Sequence, residues 1–323
     1  MIPAARGVQR SVLPLLAMTV LVAPHAAAEE SLPAEASLDT RPALEEIWRE
    51  AQLAESAGFD HDRTDPDRAI AYFRRAGELF ESIAEQRTEP KRIAEAYWRS
   101  ARCWWLVSDA HPREAEKQRI HYYLIAEALA EKGMETDPGC AGCILWKFSS
   151  MGRLTTTRGI WTAGRQIPVM ADLLDRGIAL EPTHADNDDN SVLGNLHYSS
   201  AIFYRVLPDW FFMTWFFGVR GDKDRSLRHI ETALALHPNR LEYQVELGSQ
   251  LLCRGTSKRD DAQLDAGLEV LRAALQRQPE SLDDEREIEA AGIMLEAPKK
   301  ACGYSGDSWL EIDRKRASRT AKE

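Results

Sequence analysis

EKGMETDP (residues 131–138), DRGIALEP (175–182), ETALALHP (231–238) and RAALQRQP (272–279) are four stretches of one recurring pattern. In each stretch a Gly or Ala lies five residues before the Pro, and Met, Ile or Leu lies four before it. A small residue allows two helices to approach closely, and the aliphatic residue fills the seam between them. The proline then ends the helix, because it has no N–H to donate and its ring clashes with the preceding turn. The pattern predicts a series of similar helix ends along the chain.

The spacing of these prolines indicates a repeat protein with insertions. Successive prolines are 44, 56 and 41 residues apart, whereas the minimal tetratricopeptide unit has about 34 residues. Leu193-Gly194 and Leu247-Gly248 match the Leu-Gly step of a first repeat helix. Measured from these steps, the first unit carries an insertion of about 20 residues before Ser226, and the second carries about seven before Gly267.

The remaining chain also has the apolar spacing of helices. Segments 42–58, 66–86, 91–108 and 112–134 all show it, and Ala94, Trp98, Ala101 and Trp105 form one stripe. We find no β-hairpin signal. We therefore predict an all-α, tetratricopeptide-like helical repeat superhelix, with about five helix pairs plus a C-terminal helix. The predicted organisation is a signal peptide at 1–28, a disordered linker at 29–40, a helical repeat domain at 41–300 and a C-terminal tail at 301–323.

The N-terminus has the pattern of a secretory signal. Arg6 and Arg10 precede an uncharged stretch over 11–23, and Ala26-Ala27-Ala28 follows. A membrane anchor is the alternative, but a span needs about 20 apolar residues and prolines interrupt this stretch. We expect cleavage near Ala28, a mature chain beginning near Glu29, and a periplasmic location. No Cys follows the apolar stretch, so we expect no lipid attachment there.

The charge of the chain disfavours two classes of partner. Without Arg6 and Arg10, 39 of the 41 Lys and Arg residues remain against 51 Asp and Glu, a net charge of −12. Nucleic acids and anionic lipid surfaces attract clustered Lys and Arg. We therefore expect no nucleic-acid partner, and no membrane contact beyond the aromatic segment described next.

VLPDWFFMTWFFGV (residues 206–219) has six aromatic residues and one charge. At about 2 kcal/mol for each buried aromatic side chain, covering all six is worth roughly 12 kcal/mol, so we expect this segment to be covered. Three alternatives remain: it fills the inner face of the superhelix, forms a subunit or ligand surface, or inserts shallowly into a membrane. Repeat insertions often lie on the binding face, and Trp is prominent in interfaces. Trp210 and Trp215 are therefore our candidate contacts.

A second candidate lies in RLTTTRGIWTAGRQ (residues 153–166), which we interpret as a long connection between two helices. It combines three arginines with Trp161 in an otherwise acidic protein. Arginine presents a planar fork that suits carboxylates. Trp161 and Arg165 are therefore predicted to contact a partner or ligand, and an ordinary solvated loop is the alternative.

Cys140 and Cys143 form a CxxC after Pro138-Gly139, at a predicted helix start. In an oxidising compartment a structural disulfide, local or long-range, is favoured over inert thiols or a redox pair. Haem attachment would need His at position 144, where Ile144 stands. Five cysteines leave one unpaired.

Other site chemistries find little support in the sequence. Asp186, Asp188 and Asn190 alternate like the start of a calcium loop, but Ser191 replaces the required Gly and His197 replaces the bidentate Glu. No nucleophile elbow, phosphate loop or His-Glu-x-x-His motif occurs. We expect no metal, no cofactor and no catalysis.

The segment from Asp172 to Gly255 resembles two related families. Its marks are the aromatic insertion that closes on Phe217-Gly218 and the Gly221-Asp222 step that opens a repeat helix. The chain resembles, over roughly residues 91–300, the T-component family of TRAP transporters and the regulator-of-microtubule-dynamics family, both tetratricopeptide-like. The signal sequence favours the bacterial T-component. That resemblance implies periplasmic oligomers with a central pore or cavity that engage a solute-binding protein.

The sequence therefore leads to a binding function. We expect a non-catalytic periplasmic scaffold that binds a solute-binding protein or a small organic acid in association with a transporter. A homo-oligomer is compatible with this function. The alternative is a general protein–protein adaptor or envelope assembly factor that uses the repeat groove.

Overall fold

A computed structural model describes residues 41–86, 88–158, 165–187, 190–306 and 309. The prediction of an all-α repeat fold is confirmed. The described chain contains α1 (Arg41–His61), α2 (Pro66–Ala84), α3 (Pro90–Ala110), α4 (Glu116–Thr136), α5 (Ala141–Arg158), α6 (Ile167–Ala179), α7 (Val192–Val206), α8 (Phe211–Phe217), α9 (Lys223–Leu236), α10 (Leu241–Lys258), α11 (Asp261–Ala274) and α12 (Leu282–Glu296), followed by a 3₁₀ helix, Pro298–Gly303.

These helices form five pairs and a final helix. The pairs are α1 with α2, α3 with α4, α5 with α6, α7 with α9, and α10 with α11, and α12 packs on the last pair. The short helix α8 lies inside the insertion that the sequence placed between Gly194 and Ser226. Gly218 ends α8 with φ of 69°, a left-handed conformation that glycine adopts without steric cost.

The recurring helix ends behave as their residue types require. A Cβ atom on Gly177 would lie 2.8 Å from Cδ2 of Leu196 and 3.0 Å from Cγ2 of Ile144, so only glycine allows α6 to approach α5 and α7 this closely. At the equivalent positions, Ala233 and Ala274 are at most 1% exposed. The helices end two to five residues before the prolines, at Thr136, Ala179, Leu236 and Ala274. The pattern therefore marks real seams between packed helices.

One small sheet departs from the all-helical expectation. Ala185–Asn187 (β1) pairs antiparallel with Asn190–Ser191 (β2), although the sequence gave no hairpin signal. The strands are held by side chains. The Asn190 amide donates to Oδ1 of Asn195 at 2.6 Å, and the Tyr243 hydroxyl donates to Oδ1 of Asn190 at 2.7 Å. Ser191 caps α7, because its hydroxyl accepts from the Gly194 amide.

The packed chain continues beyond residue 300, where the sequence placed the start of a tail. Ala301 and Tyr304 are buried in the cluster formed with α10, α11 and α12. A disulfide joins Cys302 to Cys253 on α10, and a second joins Cys140 to Cys143 at the start of α5. Cys103 is buried and is the free cysteine. The sequence had left Cys253 and Cys302 as scattered single residues.

The last helix also contacts the first part of the chain. The Arg286 guanidinium on α12 is paired with the Asp109 carboxylate at the end of α3, and its Nη2 donates to the Asp109 carbonyl at 2.8 Å. Beside it, Arg63 after α1 is paired with Glu285 at 3.5 Å. These contacts join the last helix to the segments that follow α1 and end α3. No helix in the described part of the chain is both long and apolar enough to cross a bilayer.

The two disulfides should differ in their contribution to stability. In the chain-entropy account, closing a loop of about four residues stabilises by about 2 kcal/mol and a loop of about 50 residues by about 4 kcal/mol. We therefore expect Cys140→Ser with Cys143→Ser to lower the free energy of unfolding by about 2 kcal/mol, and Cys253→Ser with Cys302→Ser to lower it by about twice as much.

Urea unfolding of the oxidised proteins measures both values. The Cys140/Cys143 variant should bind its ligand or partner within a few-fold of the wild type. Loss of binding with unchanged unfolding behaviour would instead support a redox role for this pair.

Candidate functional site

The first helices of successive pairs face a common interior, where they enclose a cavity of about 260 Å³. Helices α3, α5, α7 and α12 supply most of its lining, and α1, α6, the small sheet, the turn after α7, the start of α10 and the segment after the 3₁₀ helix contribute the rest. We call this cavity the groove. Arg286, which contacts Asp109, is among its lining residues.

One side of the groove is apolar. Its surface consists of aliphatic and aromatic side chains from α5, α6 and α7 and the turn after α7: Leu145, Phe148, Ile167, Met170, Phe203 and Leu207. We call these six residues the apolar wall. Trp105 and Trp146 lie beside them with ring centroids 5.5 Å apart in an edge-to-face arrangement. This side of the groove offers a ligand a surface for hydrophobic and aromatic contacts.

The opposite side is built on a buried carboxylate. Asp109 is 4% exposed and contacts three arginines from three different helices. Besides Arg286, its Oδ1 lies 3.5 Å from Nη2 of Arg119 and 3.8 Å from Nη2 of Arg153. Arg153 also stacks over the Trp105 ring at 5.2 Å and donates to the Ser305 carbonyl at 3.5 Å. One acidic side chain thereby orients three cations around the groove.

A second buried ion cluster connects the two sides. Arg102 donates through Nε to Oε1 of Glu55 at 2.8 Å, and its Nη1 lies 3.7 Å from Oδ1 of Asp186. Asp186 also accepts from the Trp146 indole and the Asn195 amide, both at 2.9 Å. Burial raises the pKa of Asp186, while the charge of Arg102 opposes that shift. These bonds fix the Trp146 ring in the groove wall.

Three buried polar atoms in the groove lining have no hydrogen-bond partner among the described residues: Nη1 of Arg102, Nε1 of Trp105 and Oε2 of Glu287. The first lies in the ion pair with Asp186, whereas Trp105 and Glu287 have no ion-pair partner among the described residues. Burial raises the pKa of the Glu287 carboxyl well above its ordinary value, and the charges of Glu242 and Glu246 raise it further. Because buried polar atoms are usually satisfied, these two are candidate contacts for a ligand.

The predicted contact residues lie elsewhere. Trp161 lies outside the described residues. Arg165 is exposed in the turn before α6, Trp210 is half-buried against the main core, and Trp215 is 82% exposed. None of these three lines the groove. The expected long connection is also shorter than predicted, because α5 continues through Arg158. This helix carries Arg153 into the groove wall.

The aromatic insertion divides between core and surface. Met213 is buried, and Trp210, Phe212 and Phe217 pack against the core. Phe211, Trp215 and Phe216 are 75%, 82% and 73% exposed. We expected all six aromatic side chains of this segment to be covered. The chain itself covers only three of them. The other three form an exposed surface on α8.

No group of three or more metal-ligating side chains occurs within the ranges that the structure describes. The residues of the suspected calcium loop have other roles where they are described, since Asp186 and Asn190 bond Trp146, Asn195 and Tyr243. Outside the groove, His197 and His229 form a histidine pair whose Nδ1 atoms lie 2.9 Å apart. Burial lowers the pKa of His229 to about 4.

The comparison with protein families gives one match. The family described as Regulator of microtubule dynamics protein 1-3 matches residues 67–297. This range contains most of the helices that line the groove and the insertion with α8. No curated protein matches the chain.

The contact between α12 and α3 can be tested by substitution. Arg286→Met should lower the free energy of unfolding by roughly 1–3 kcal/mol, because it removes charge-assisted hydrogen bonds to the buried Asp109 carboxylate. The loss is limited because that carboxylate still contacts two other arginines. The matched control is Arg63→Met, which removes an exposed ion pair between the same parts of the chain and should cost less than about 1 kcal/mol. Urea unfolding measures both, and equal losses would show that the Asp109 cluster does not hold the groove closed.

Proposed function

We propose a non-catalytic binding function for this chain, which belongs to the regulator of microtubule dynamics protein 1-3 family. The groove is the binding site. Its ligand has an apolar part that lies on the apolar wall and a polar part that faces the arginines and carboxylates opposite. The ligand is a small molecule or a side chain of a partner protein.

The observation that carries this proposal is the pairing of two unlike surfaces within one cavity. Pockets for small ligands are mainly apolar, with a few convergent polar groups that fix orientation. The groove has this composition, and Trp105 and Glu287 each contribute an unpartnered buried polar atom. A superhelix that only needed a stable core would fill this space with side chains, because protein interiors are close-packed.

A binding role is also supported by what the charged groups of the groove already do. The arginines that line it are engaged by carboxylates of the same chain, as in the pairs of Arg102 with Glu55 and Arg240 with Glu242. The sequence offers no recognised catalytic motif to use them. We therefore assign these charges to holding the shape and polarity of the groove.

The cellular setting remains a prediction from the sequence. The resemblance to TRAP T-components and the N-terminal signal pattern support a periplasmic protein that acts beside a transporter. Its partner would then be a solute-binding protein, and its ligand a solute such as an organic acid. A general adaptor that holds an envelope protein in the same groove is the alternative.

A second candidate function belongs to α8. Phe211, Trp215 and Phe216 form an exposed apolar surface on one seven-residue helix. Exposed apolar patches mark interaction sites, and Trp is common at the centre of interfaces. We propose that this surface binds another protein, with a second copy of the chain as the first partner to test.

The groove can be blocked by one substitution with a matched control. Gly152 lies on α5 in the groove lining, and a Cβ atom there would meet only Cε of Met170, at 3.8 Å. Gly152→Phe should fill the groove without unfolding the protein, because replacing a glycine within a helix by another residue favours the helical conformation. Gly292→Phe makes the same change on α12. A Cβ atom at Gly292 would have no neighbour within 4 Å, and Gly292 does not line the groove.

With 2-phenylethanol as an uncharged probe, titration calorimetry should show binding to the wild type and to Gly292→Phe. Binding to Gly152→Phe should be at least about tenfold weaker, equivalent to about 1.4 kcal/mol. Equal binding by all three proteins, or by none, would contradict the groove as the binding site.

The α8 surface has its own test. Trp215→Ala and Arg165→Ala should both fold like the wild type, because both side chains are exposed. Trp215→Ala should lower the concentration-dependent mass seen in sedimentation velocity, whereas Leu53→Ala, which removes a 66% exposed residue on α1, should leave it unchanged. If Trp215→Ala unfolds the monomer, the insertion is core. If all variants associate as the wild type does, the surface is not an interface.

A further inference from the structure

The charged side of the groove contains more acid than base. We define the ionic wall as the charged residues that line the groove, the residues ion-paired to them, and Arg119, which is ion-paired to Asp109. It has five guanidinium groups, Arg102, Arg119, Arg153, Arg240 and Arg286, and six carboxyl groups, Glu55, Asp109, Asp186, Glu242, Asp283 and Glu287. If every group were ionised, the wall would carry one excess negative charge.

Glu287 is the member of this set without a cation of its own among the described ion pairs. It lies on the buried side of α12, is 6% exposed, and lines the groove. Its Oε2 makes no hydrogen bond in the described part of the chain, although the Tyr304 hydroxyl is close enough to Glu287 to lower its pKa and so to offset part of the effect of burial. A buried carboxyl oxygen that faces a cavity without a partner is a position where a ligand donor would restore the lost hydrogen bond.

The surroundings of Glu287 explain why its proton is retained. Glu242 and Glu246 approach it from α10, and Asp283 lies one turn earlier on α12. Tyr198 on α7 and Tyr304 beyond the 3₁₀ helix are the other titratable neighbours. Burial and these acidic charges together raise the pKa of Glu287 well above its ordinary value. In the empty groove these surroundings favour the neutral carboxylic acid form of Glu287 over the carboxylate.

We propose that the groove binds a small organic cation, in which an apolar body carries a protonated amine that donates a hydrogen bond to Glu287. This inference rests on the proposed binding function of the groove and names the chemical class of its ligand. The ammonium group supplies the positive charge that balances the sixth carboxyl. The apolar body lies on the apolar wall beside Trp105 and Trp146.

The charge balance favours an amine over the organic acid that the sequence suggested. The ionic wall has one carboxyl group more than it has guanidinium groups, and protonation of Glu287 removes that excess negative charge. An anionic ligand would bring a new negative charge into the same wall. A cation removes the imbalance, and aromatic rings beside it add favourable contacts with their faces. The groove arginines are already paired within the chain, so they have less to offer a carboxylate.

The proposal fixes the direction of a proton transfer. When the ammonium group binds, the Glu287 carboxyl loses its proton to the solvent and remains as the carboxylate of an ion pair. Each ligand bound therefore releases one proton. Affinity should rise with pH, by up to about tenfold per unit, until Glu287 is ionised in the free protein.

The test compares three probes of similar shape with the full chain: 2-phenylethylamine, 2-phenylethanol and 3-phenylpropanoate. Calorimetry at about pH 6 and about pH 8, in buffers of different ionisation enthalpy, gives both affinity and the number of protons released. We expect the amine to bind at least tenfold more tightly than either other probe, and to release close to one proton.

Glu287→Gln keeps the shape of the side chain but cannot ionise. Because Glu287 is uncharged in the empty groove, this variant should melt like the wild type. It should bind 2-phenylethanol normally, bind the amine at least tenfold more weakly than the wild type does, and release no proton. Glu285→Gln is the matched control, since Glu285 is exposed on the same helix, is paired with Arg63 and does not line the groove.

The outcomes separate the two proposals. If no probe binds, the proposed function fails and the cation inference fails with it. If the alcohol or the acid binds as tightly as the amine, or if amine binding releases no proton, the groove is a binding site but the cation inference is wrong. Unchanged amine binding in Glu287→Gln also overturns the inference. The proton count in the wild type decides the matter even if that variant does not fold.

Discussion

The groove depends on one buried carboxylate, Asp109 at the end of α3. An ionised side chain removed from water is stable only when cations and hydrogen-bond donors surround it. Arg119, Arg153 and Arg286 fulfil that requirement from α4, α5 and α12. Because α12 is far in sequence from α3, α4 and α5, satisfying one charge also brings the last helix against this earlier part of the chain. The cavity between them follows from that requirement.

The two unlike sides of the groove follow from how the repeats are arranged. The apolar wall uses residues from the middle of the chain, on α5, α6 and α7 and in the turn after α7, which all belong to the main core. The ionic wall gathers charges near helix ends and from the last helix, where packing is interrupted. A ligand in the groove would therefore touch the main core on one side and the closing contacts on the other. Binding would be sensitive to changes in either.

Local sequence patterns were sufficient to predict the helices and their seams. The small residues before each proline, such as Gly177, predicted close helix contacts because the reason for a small side chain there is local and repeated. The groove was not predictable in this way. Asp109 and Arg286 are 177 residues apart, and nothing in the spacing of either residue indicates the other. The aromatic insertion was predicted, but not which of its aromatic side chains would be buried and which exposed. Hydrophobicity alone does not show which face of α8 contacts the core. The disulfide between Cys253 and Cys302 was missed for the same reason as the groove, since the two residues lie in different elements.

Closure between α12 and α3 separates this molecule from open solenoids. In an open array each unit contacts only its neighbours, so units can be added or lost with little effect on the others. Here the last helix must reach a residue near the beginning, and one unit more or fewer would move Arg286 away from Asp109. The number of repeats is therefore fixed by geometry. Evolution of this chain can vary its loops and its groove lining, but it cannot change its length by duplicating a repeat without losing the site.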